Sequence, residues 1–401
     1  MWSWGLLVRP LQWWQLARAP QQHVIDSLSP SNGLSPSGIS TPLFADLERL
    51  SRLVDITYCI GNTGVHKPFQ CLSRCNEFPG LSLASTWSTG FLMADSCGYI
   101  AVDHGSKGKG RRHGDASHTG DGPSIIVAFR GTYSVANTIV DLGTIPQEYV
   151  PYPAPDDDDD DFQENYRRRC DNCTVHMGFL HSWRMARGTV VPQLKALRKK
   201  YPSYRMHLAG HSLGGAVACL AALELKLSLG WDNLVVTTFG EPRVGNHQLA
   251  HYIDKAFHLD GAASSEHRTY RRVTHNNDPV PLLPLEEWGY KPHGGEIYIS
   301  KQELQPTERD IRTCVGDSDP DCSAGAEASL LGDVRRLLHF APASPSVEAH
   351  IAARTFPARL KLWQLFFAHR DYFWRLGLCV PGGDAANWGQ GWSGGVEAEE
   401  L

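Results

Sequence analysis

Residues 205–225, RMHLAGHSLGGAVACLAALEL, contain the turn that decides the fold of this chain. The beginning of the stretch suits a short strand, and the run 216–225 is rich in helix formers and lacks glycine and proline. Between them lies the pattern G-x-S-x-G, in which Gly210 and Gly214 permit a tight turn and a close approach of helix to strand. We therefore predict a strand, a sharp turn that carries Ser212, and a helix that begins directly after it.

A serine at such a turn is a candidate nucleophile. Backbone N–H groups and the dipole at a helix N-terminus favour negative charge, which develops when a serine attacks a carbonyl. The hydroxyl needs a base to take its proton, and the base needs an acid that orients it. The pattern alone recurs by chance, so the assignment of Ser212 depends on its surroundings and on finding these partners.

Asp278 is the best candidate for the acid. It lies in the turn-rich loop 275–281, which follows a segment suited to a strand, and Pro279 and Pro281 stiffen that loop. The alternative is an Asx-type turn, which any Asn-Asp-Pro sequence favours. Because the catalytic groups of such enzymes follow strand ends, the position of Asp278 favours the catalytic interpretation.

Two histidines could serve as the base. His293 lies in a glycine-rich loop, and His369 lies late in the chain beside aromatic residues. Both follow Ser212 and Asp278 in the order serine, acid, histidine that α/β-hydrolases use. The spacing therefore leaves both histidines open.

The reaction also needs donors for the oxyanion. The backbone N–H of Leu213, the residue after the serine, is one candidate. The other is Thr132, which follows an early strand and can offer its backbone N–H and its hydroxyl. A simple turn is the alternative interpretation of the Gly131-Thr132 pair.

Apolar segments predict the secondary structure around these residues. A helix is expected to begin at Thr41-Pro42, because the apolar residues from Leu43 onward recur at helical spacing. Strands are expected at 98–103, 124–129, 234–239, 269–274 and 296–300. Strands that alternate with helices predict the α/β class, with a mostly parallel central sheet flanked by helices.

The chain is predicted to hold one catalytic domain over 41–380. Residues 1–40 begin with an apolar segment that resembles a poor signal peptide and continue as a disordered lead-in. The Ala- and Pro-rich stretch 323–357 could be an insertion, and 381–401 is predicted to be a disordered tail.

Composition indicates a soluble globular protein, with 42% hydrophobic and 20% charged residues. The net charge of -5 gives no reason to expect a nucleic-acid partner. No apolar run reaches the length of about 18 residues that a transmembrane helix needs.

Ten cysteines suggest disulfides that clip a larger fold, and hence an oxidising compartment. The positions suggest three candidate pairs, although spacing cannot establish connectivity. They are Cys59 with Cys379, Cys71 with Cys75, and Cys314 with Cys322. Cys219 is expected to be a buried thiol, and the pairing of Cys97, Cys170 and Cys173 stays open.

Taken together, the motifs resemble those of the fungal class 3 (filamentous-fungus type) triacylglycerol lipases. The resemblance extends from about Leu43 to Cys379. It rests on the segments 129–132, 201–204, 210–215, 239–246, 272–281 and 293–296, and on His369-x-x-Tyr372-Phe373.

This resemblance implies an α/β-hydrolase fold and resolves the choice of base. The late histidine of the family carries over to His369, whereas the His-Gly-Gly-Glu segment at His293 is structural. The family disulfides correspond to the three candidate pairs. A short helical lid is implied at 134–142, with Val135, Ile139 and Leu142 on one face. It lacks the tryptophan of the best-known members, so strong interfacial activation is not expected.

The resulting expectation is a secreted triacylglycerol lipase, or another carboxylic ester hydrolase. It would act on lipid or other esters, at an oil–water interface in the case of a lipase, without a metal or organic cofactor. One alternative is a feruloyl esterase or phospholipase of the same family, and another is a catalytically silent, lipid-binding relative.

Overall fold

The structure is a computed structural model. It describes residues 38–90, 96–105, 122–132, 142, 149–151, 170–259, 267–327, 330 and 365–388.

The strands of these regions are as follows, in chain order. They are β1 (Val65–His66), β2 (Gln70–Cys71), β3 (Leu81–Ser88), β4 (Cys97–Asp103), β5 (Ser124–Phe129), β6 (Tyr149–Pro151), β7 (Thr174–His176), β8 (Arg205–His211), β9 (Leu234–Phe239), β10 (Gly245–Asn246), β11 (Tyr270–His275), β12 (Tyr290–Lys291), β13 (Glu296–Ile299) and β14 (Ile311–Thr313). The helices are α1 (Thr41–Ile56), α2 (Met177–Lys200), α3 (Leu213–Leu223) and α4 (His247–Phe257).

Eight of the described strands form the central sheet, in the order β14-β13-β11-β9-β8-β5-β4-β3. The middle of the sheet is parallel, from β5 through β8, β9 and β11 to β13. The edges are antiparallel, with β3 and β4 on one side and β14 on the other. The prediction of a mostly parallel central sheet is confirmed.

Both faces of this sheet are covered, since the strands of its parallel middle are buried almost throughout. In β5, Ile125, Val127 and Phe129 pack into the core that contains residues of α2 and α3. Ile126 and Ala128 point the other way, into the core that contains residues of α1. Because side chains alternate along a strand, one segment thus anchors two hydrophobic layers.

The described regions also contain an antiparallel four-stranded sheet, β12-β10-β7-β6, and the two-stranded pair β1-β2. Their strands are only two or three residues long. No apolar pattern of that length can be recognised, and the sequence analysis did not predict them.

Four disulfides join cysteines of the described regions. Three are the candidate pairs Cys59–Cys379, Cys71–Cys75 and Cys314–Cys322, and the fourth is Cys170–Cys173. Cys97 and Cys219 are buried thiols. In the same regions no helix combines the length and the apolar character needed to cross a membrane.

Residues 381–388, which the sequence analysis assigns to a disordered tail, are packed against the preceding segment. The Asp384 carboxylate accepts a hydrogen bond from Arg370 at 2.8 Å. The Asn387 side chain accepts from the backbone N–H of Arg375 at 2.9 Å. Composition suggested a tail because the stretch is rich in glycine, whereas these polar contacts hold residues 381–388 against the preceding segment.

Candidate active site

Ser212 lies at the turn between β8 and α3, as predicted. Its backbone has φ 57° and ψ -130°, a strained conformation for a residue with a side chain. The backbone N–H of Ser212 donates to the carbonyl of Phe239 at the end of β9, at 2.9 Å. The sheet therefore holds this turn against its neighbouring strand.

Glycines on either side make this turn possible. A Cβ at Gly210 would collide with the carbonyl oxygen of Gly214, and a Cβ at Gly214 would lie 2.5 Å from the carbonyl oxygen of Phe129. Helix α3 can therefore approach β8 and β5 only because both positions lack side chains.

Asp278 and His369 are hydrogen-bonded to each other. Nδ1 of His369 lies 3.0 Å from Oδ1 and 2.9 Å from Oδ2 of Asp278, and both side chains are buried. Oδ1 also accepts from the backbone N–H of Val280 at 2.9 Å, and Oδ2 accepts from the hydroxyl of Tyr372 at 2.6 Å. The loop after β11 thus fixes the carboxylate, and the C-terminal segment brings the imidazole to it.

The environment keeps this carboxylate ionised. Burial by itself raises the pKa of Asp278, but His369, the Tyr372 hydroxyl and the Val280 N–H together hold that pKa below its usual value. An ionised carboxylate on Nδ1 favours the tautomer in which Nε2 is unprotonated and able to accept a proton.

The other candidate base, His293, lies in a separate buried polar cluster. Its Nε2 is 3.0 Å from Oε1 of Glu241, and the hydroxyls of Thr238 and Tyr270 donate to Oε2 of the same carboxylate, at 2.6 and 2.9 Å. His293 is thus bonded to Glu241 rather than to Asp278, in line with the structural role that the resemblance implies.

Two polar atoms near the turn have unused hydrogen-bonding capacity. Oγ of Ser212 and Nε2 of His369 are both buried, and neither has a hydrogen-bond partner among the described residues. Buried polar atoms are usually paired, so neither of these two atoms is committed to a structural hydrogen bond among the described residues.

The segment Arg130–Thr132 runs alongside the serine. A Cβ at Gly131 would lie 2.9 Å from the Cβ of Ser212. Arg130 holds the segment, because its Nη1 donates to the carbonyl of Ile60 at 2.5 Å and its Nε to that of Gly131 at 3.3 Å. Leu213 begins α3, where backbone N–H groups have no partner inside the helix.

Comparison with known proteins identifies the family of this chain. The family described as lipase (class 3) matches residues 126–288. A secreted mono- and diacylglycerol lipase 2 of Gibberella zeae is 62% identical over 370 residues, which cover 92% of this chain and 90% of the relative. The chain belongs to the class 3 lipases.

Two further relatives support this assignment. Lipase A of Sodiomyces alcalophilus is 59% identical in sequence, over 91% of this chain and 88% of the relative. The crystal structure of the Lip2 lipase of Yarrowia lipolytica matches with a TM-score of 0.64 and 28% identity, over 86% of this chain and 97% of that one.

Several predictions from the sequence are thereby confirmed. The lipase has the α/β-hydrolase fold and is a serine ester hydrolase that acts on lipid esters. Its extracellular location agrees with the secreted relative and with the disulfides.

The predicted lid of the lipase, 134–142, lies outside the described residues except for Leu142, so Val135 and Ile139 are not described. Leu142 is described, and its side chain is buried in the core that contains residues of α2 and α3.

Three residues that form hydrogen bonds at this site were missed in the sequence. Tyr372 belongs to a quoted motif, but its position three residues after His369 did not reveal the bond to Asp278. Tyr58 and His211 contact each other over a separation of 153 residues. The only available signal for His211 was its adjacency to Ser212.

Proposed function

We propose that the lipase hydrolyses its ester through a triad of Ser212, His369 and Asp278. The observation that carries this proposal is the buried hydrogen bonding between the Asp278 carboxylate and Nδ1 of His369. It leaves Nε2 available, while the strained turn presents the hydroxyl of Ser212 beside the candidate oxyanion segment.

In the first half-reaction, Oγ of Ser212 attacks the ester carbonyl and its proton passes to Nε2 of His369. The tetrahedral intermediate then collapses, the C–O bond to the alcohol breaks, and His369 returns the proton to the leaving alcohol. In the second half-reaction, water attacks the acyl-enzyme and gives a proton to His369. That proton returns to Oγ as the fatty acid leaves.

The negative oxygen of both intermediates requires donors. The backbone N–H of Leu213 and the N–H and hydroxyl of Thr132 supply them. Support comes from the position of Leu213 at the start of α3 and from the close approach of Gly131 to Ser212. The Arg130 guanidinium stabilises the oxyanion segment through its bonds to two carbonyls.

The substrate class that we propose is a partial glyceride at the surface of a lipid aggregate. The relative from Gibberella zeae, which aligns with 92% of this chain, is named a mono- and diacylglycerol lipase. The chemistry itself requires only an ester carbonyl and a pocket for an acyl chain.

The triad is tested by Ser212→Ala and by labelling with a fluorophosphonate ester. The variant should lose about 10⁶-fold in kcat, since triad members act as a unit, and should not be labelled. Ser51→Ala is a matched control, because Ser51 is also a buried serine but bonds to the carbonyl of Glu48 in α1. Near-normal activity of Ser212→Ala would refute the proposed triad.

The substrate class is tested separately. Initial rates should be compared on mono-, di- and triacylglycerol emulsions of matched acyl chains, and on soluble feruloyl and short-chain esters. A higher kcat/KM on mono- and diacylglycerols is expected. A preference for soluble aromatic esters would instead favour a feruloyl esterase.

A further inference from the structure

A buried series of contacts, two of them hydrogen bonds through His211, runs behind Ser212 and joins the oxyanion segment to the C-terminal segment. Nδ1 of His211 lies 2.6 Å from the hydroxyl of Tyr58, and Nε2 of His211 lies 2.7 Å from the carbonyl oxygen of His369. Gly131 packs directly against the same hydroxyl, since a Cβ there would lie 2.6 Å from the Tyr58 oxygen. The series therefore reads Gly131, Tyr58, His211, His369.

The direction of each bond follows from the chemistry of the groups. A carbonyl oxygen can only accept, so Nε2 of His211 carries a hydrogen and donates to His369. In a neutral imidazole the other nitrogen then accepts, and Tyr58 must donate its hydroxyl hydrogen to Nδ1. The Tyr58 oxygen can then accept a hydrogen bond from the backbone N–H of Gly131.

His211 stays neutral under the conditions in which lipases work. Burial, followed by the neighbouring His369, lowers the pKa of His211 to about 3. The ring centres of the two histidines are 4.6 Å apart. Protonation of His211 would place a cation against the base, so the environment excludes it.

Both ends of the series are held firmly. The close approach of Gly131 to the Tyr58 oxygen leaves no space for a side chain between them. Cys59, which follows Tyr58 in the sequence, forms a disulfide with Cys379 of the segment that carries His369. Tyr58 and His211 are themselves buried.

We propose that Tyr58 and His211 are positioning residues that hold the oxyanion segment and His369 in register with Ser212. This inference rests on the proposed triad. Neither side chain takes part in a proton transfer. His211 fixes the backbone of the base, while Tyr58 fixes both His211 and the backbone of Gly131.

The expected consequence is a loss of kcat with little change of KM. Substrate binding does not use these side chains, whereas a displacement of about 1 Å between reacting groups can cost on the order of 100-fold in rate. We therefore expect Tyr58→Phe, which removes only the hydroxyl, to lower kcat roughly 10- to 100-fold.

Tyr99→Phe provides the matched control. Tyr99 is a fully buried tyrosine whose hydroxyl donates to the carbonyl of Leu53 in α1, at 2.8 Å. Both variants lose one buried hydroxyl, and both should lose some thermal stability. Only Tyr58→Phe should lose kcat on a soluble p-nitrophenyl ester and react more slowly with the fluorophosphonate.

A double-mutant cycle tests the connection between the two residues. In His211→Gln the side-chain amide can still donate toward the His369 carbonyl but does not reproduce the acceptor for Tyr58. This variant should retain more activity than His211→Leu. Because the series is broken once in either single variant, Tyr58→Phe combined with His211→Gln should be scarcely slower than the worse single variant.

Two outcomes would overturn the inference. One is a kcat of folded Tyr58→Phe that equals that of Tyr99→Phe, and the other is a full multiplication of the two losses in the double variant. In either case Ser212→Ala, run in the same assay, would remain inactive if the triad is correct. Failure of the positioning role and failure of the triad are thus distinguishable.

Discussion

The hydroxyl of Tyr372 donates a 2.6 Å hydrogen bond to Oδ2 of Asp278, the same oxygen that lies 2.9 Å from Nδ1 of His369. Tyr372 follows His369 by one short turn of chain, so a single segment delivers both the proposed base and a donor to its acid. A hydrogen bond to an ionised carboxylate stabilises the charged form and fixes its orientation.

Tyr372→Phe should therefore weaken the triad without removing a member of it. Hydrogen bonds to charged groups contribute about 1.5–3 kcal/mol, so kcat/KM should fall roughly 10- to 100-fold. Loss of the donor also raises the pKa of Asp278, so the loss should be greater at the acid end of the pH range. The measurement is a pH–rate profile on a soluble ester, and an unchanged profile would contradict this role of Tyr372.

Gly240, which follows β9, lies directly against His369, the proposed base. It has φ 59°, and a Cβ there would lie 2.6 Å from the Tyr372 oxygen and 2.8 Å from Cε1 of His369. Gly240→Ala should displace the imidazole and reduce kcat by about 100-fold or more.

Gly230→Ala separates this collision from backbone strain. Gly230 has a similar φ of 67°, but its Cβ would meet no atom within 4 Å. Both alanines should cost about 1–2 kcal/mol of stability for the left-handed conformation. Only Gly240→Ala should reduce kcat in the soluble-ester assay, and equal kcat values for the two variants would disprove the collision.

The sequence predicted the middle strands of the central sheet, among which Ser124–Phe129 is buried throughout and almost entirely apolar, but not the edge strands β3 and β14. It also predicted the turn at Ser212, where residues close in sequence determine the geometry. The choice of base was beyond local pattern, because His293 and His369 both satisfy the chain order. The resemblance implies His369, and the contact of His369 with Asp278 over a separation of 91 residues supports that choice.

The short strands and the contact between Tyr58 and His211 could not be predicted for the same reason, since they depend on residues far apart in the sequence. β7 and β10 pair through a single register position, Gly245 with Val175. Neither strand is long enough to show an apolar repeat from which it could be predicted. The contact between Tyr58 and His211 depends on packing α1 and its C-terminal turn against the sheet. Such long-range pairs follow from the folded topology and not from the composition of either segment.

The Cys59–Cys379 disulfide should stabilise the lipase far more than Cys71–Cys75. The two bonds span sequence separations of 320 and 4 residues. In the chain-entropy account, these loops correspond to about 6 and about 2 kcal/mol. Guanidinium unfolding of the Cys59→Ser/Cys379→Ser and Cys71→Ser/Cys75→Ser double variants measures the difference. Equal losses would contradict the prediction.

Asp55, at the end of α1, makes the stability of the lipase depend on pH. Its carboxylate is fully buried, accepts from the backbone N–H of Gly377 at 2.8 Å, and lies 3.4 Å from Nε of Arg74 without a hydrogen bond to it. Burial raises the pKa of Asp55 from its usual 3.8 to about 6, against the opposing effects of Gly377 and Arg74.

Since the folded chain binds this proton more tightly than the unfolded chain, the contribution of Asp55 to stability is present at pH values below 4. It is lost as the pH rises to about 6, a change of about 3 kcal/mol at most. Asp55→Asn resembles the protonated form at every pH, so the variant should gain stability relative to the wild type between pH 4 and pH 7. Urea unfolding at the two pH values measures this gain, with Asp232→Asn, a change at an exposed ion pair with Lys226, as the control. A difference between wild type and Asp55→Asn that does not change with pH would mean that Asp55 stays ionised in the folded lipase throughout this range.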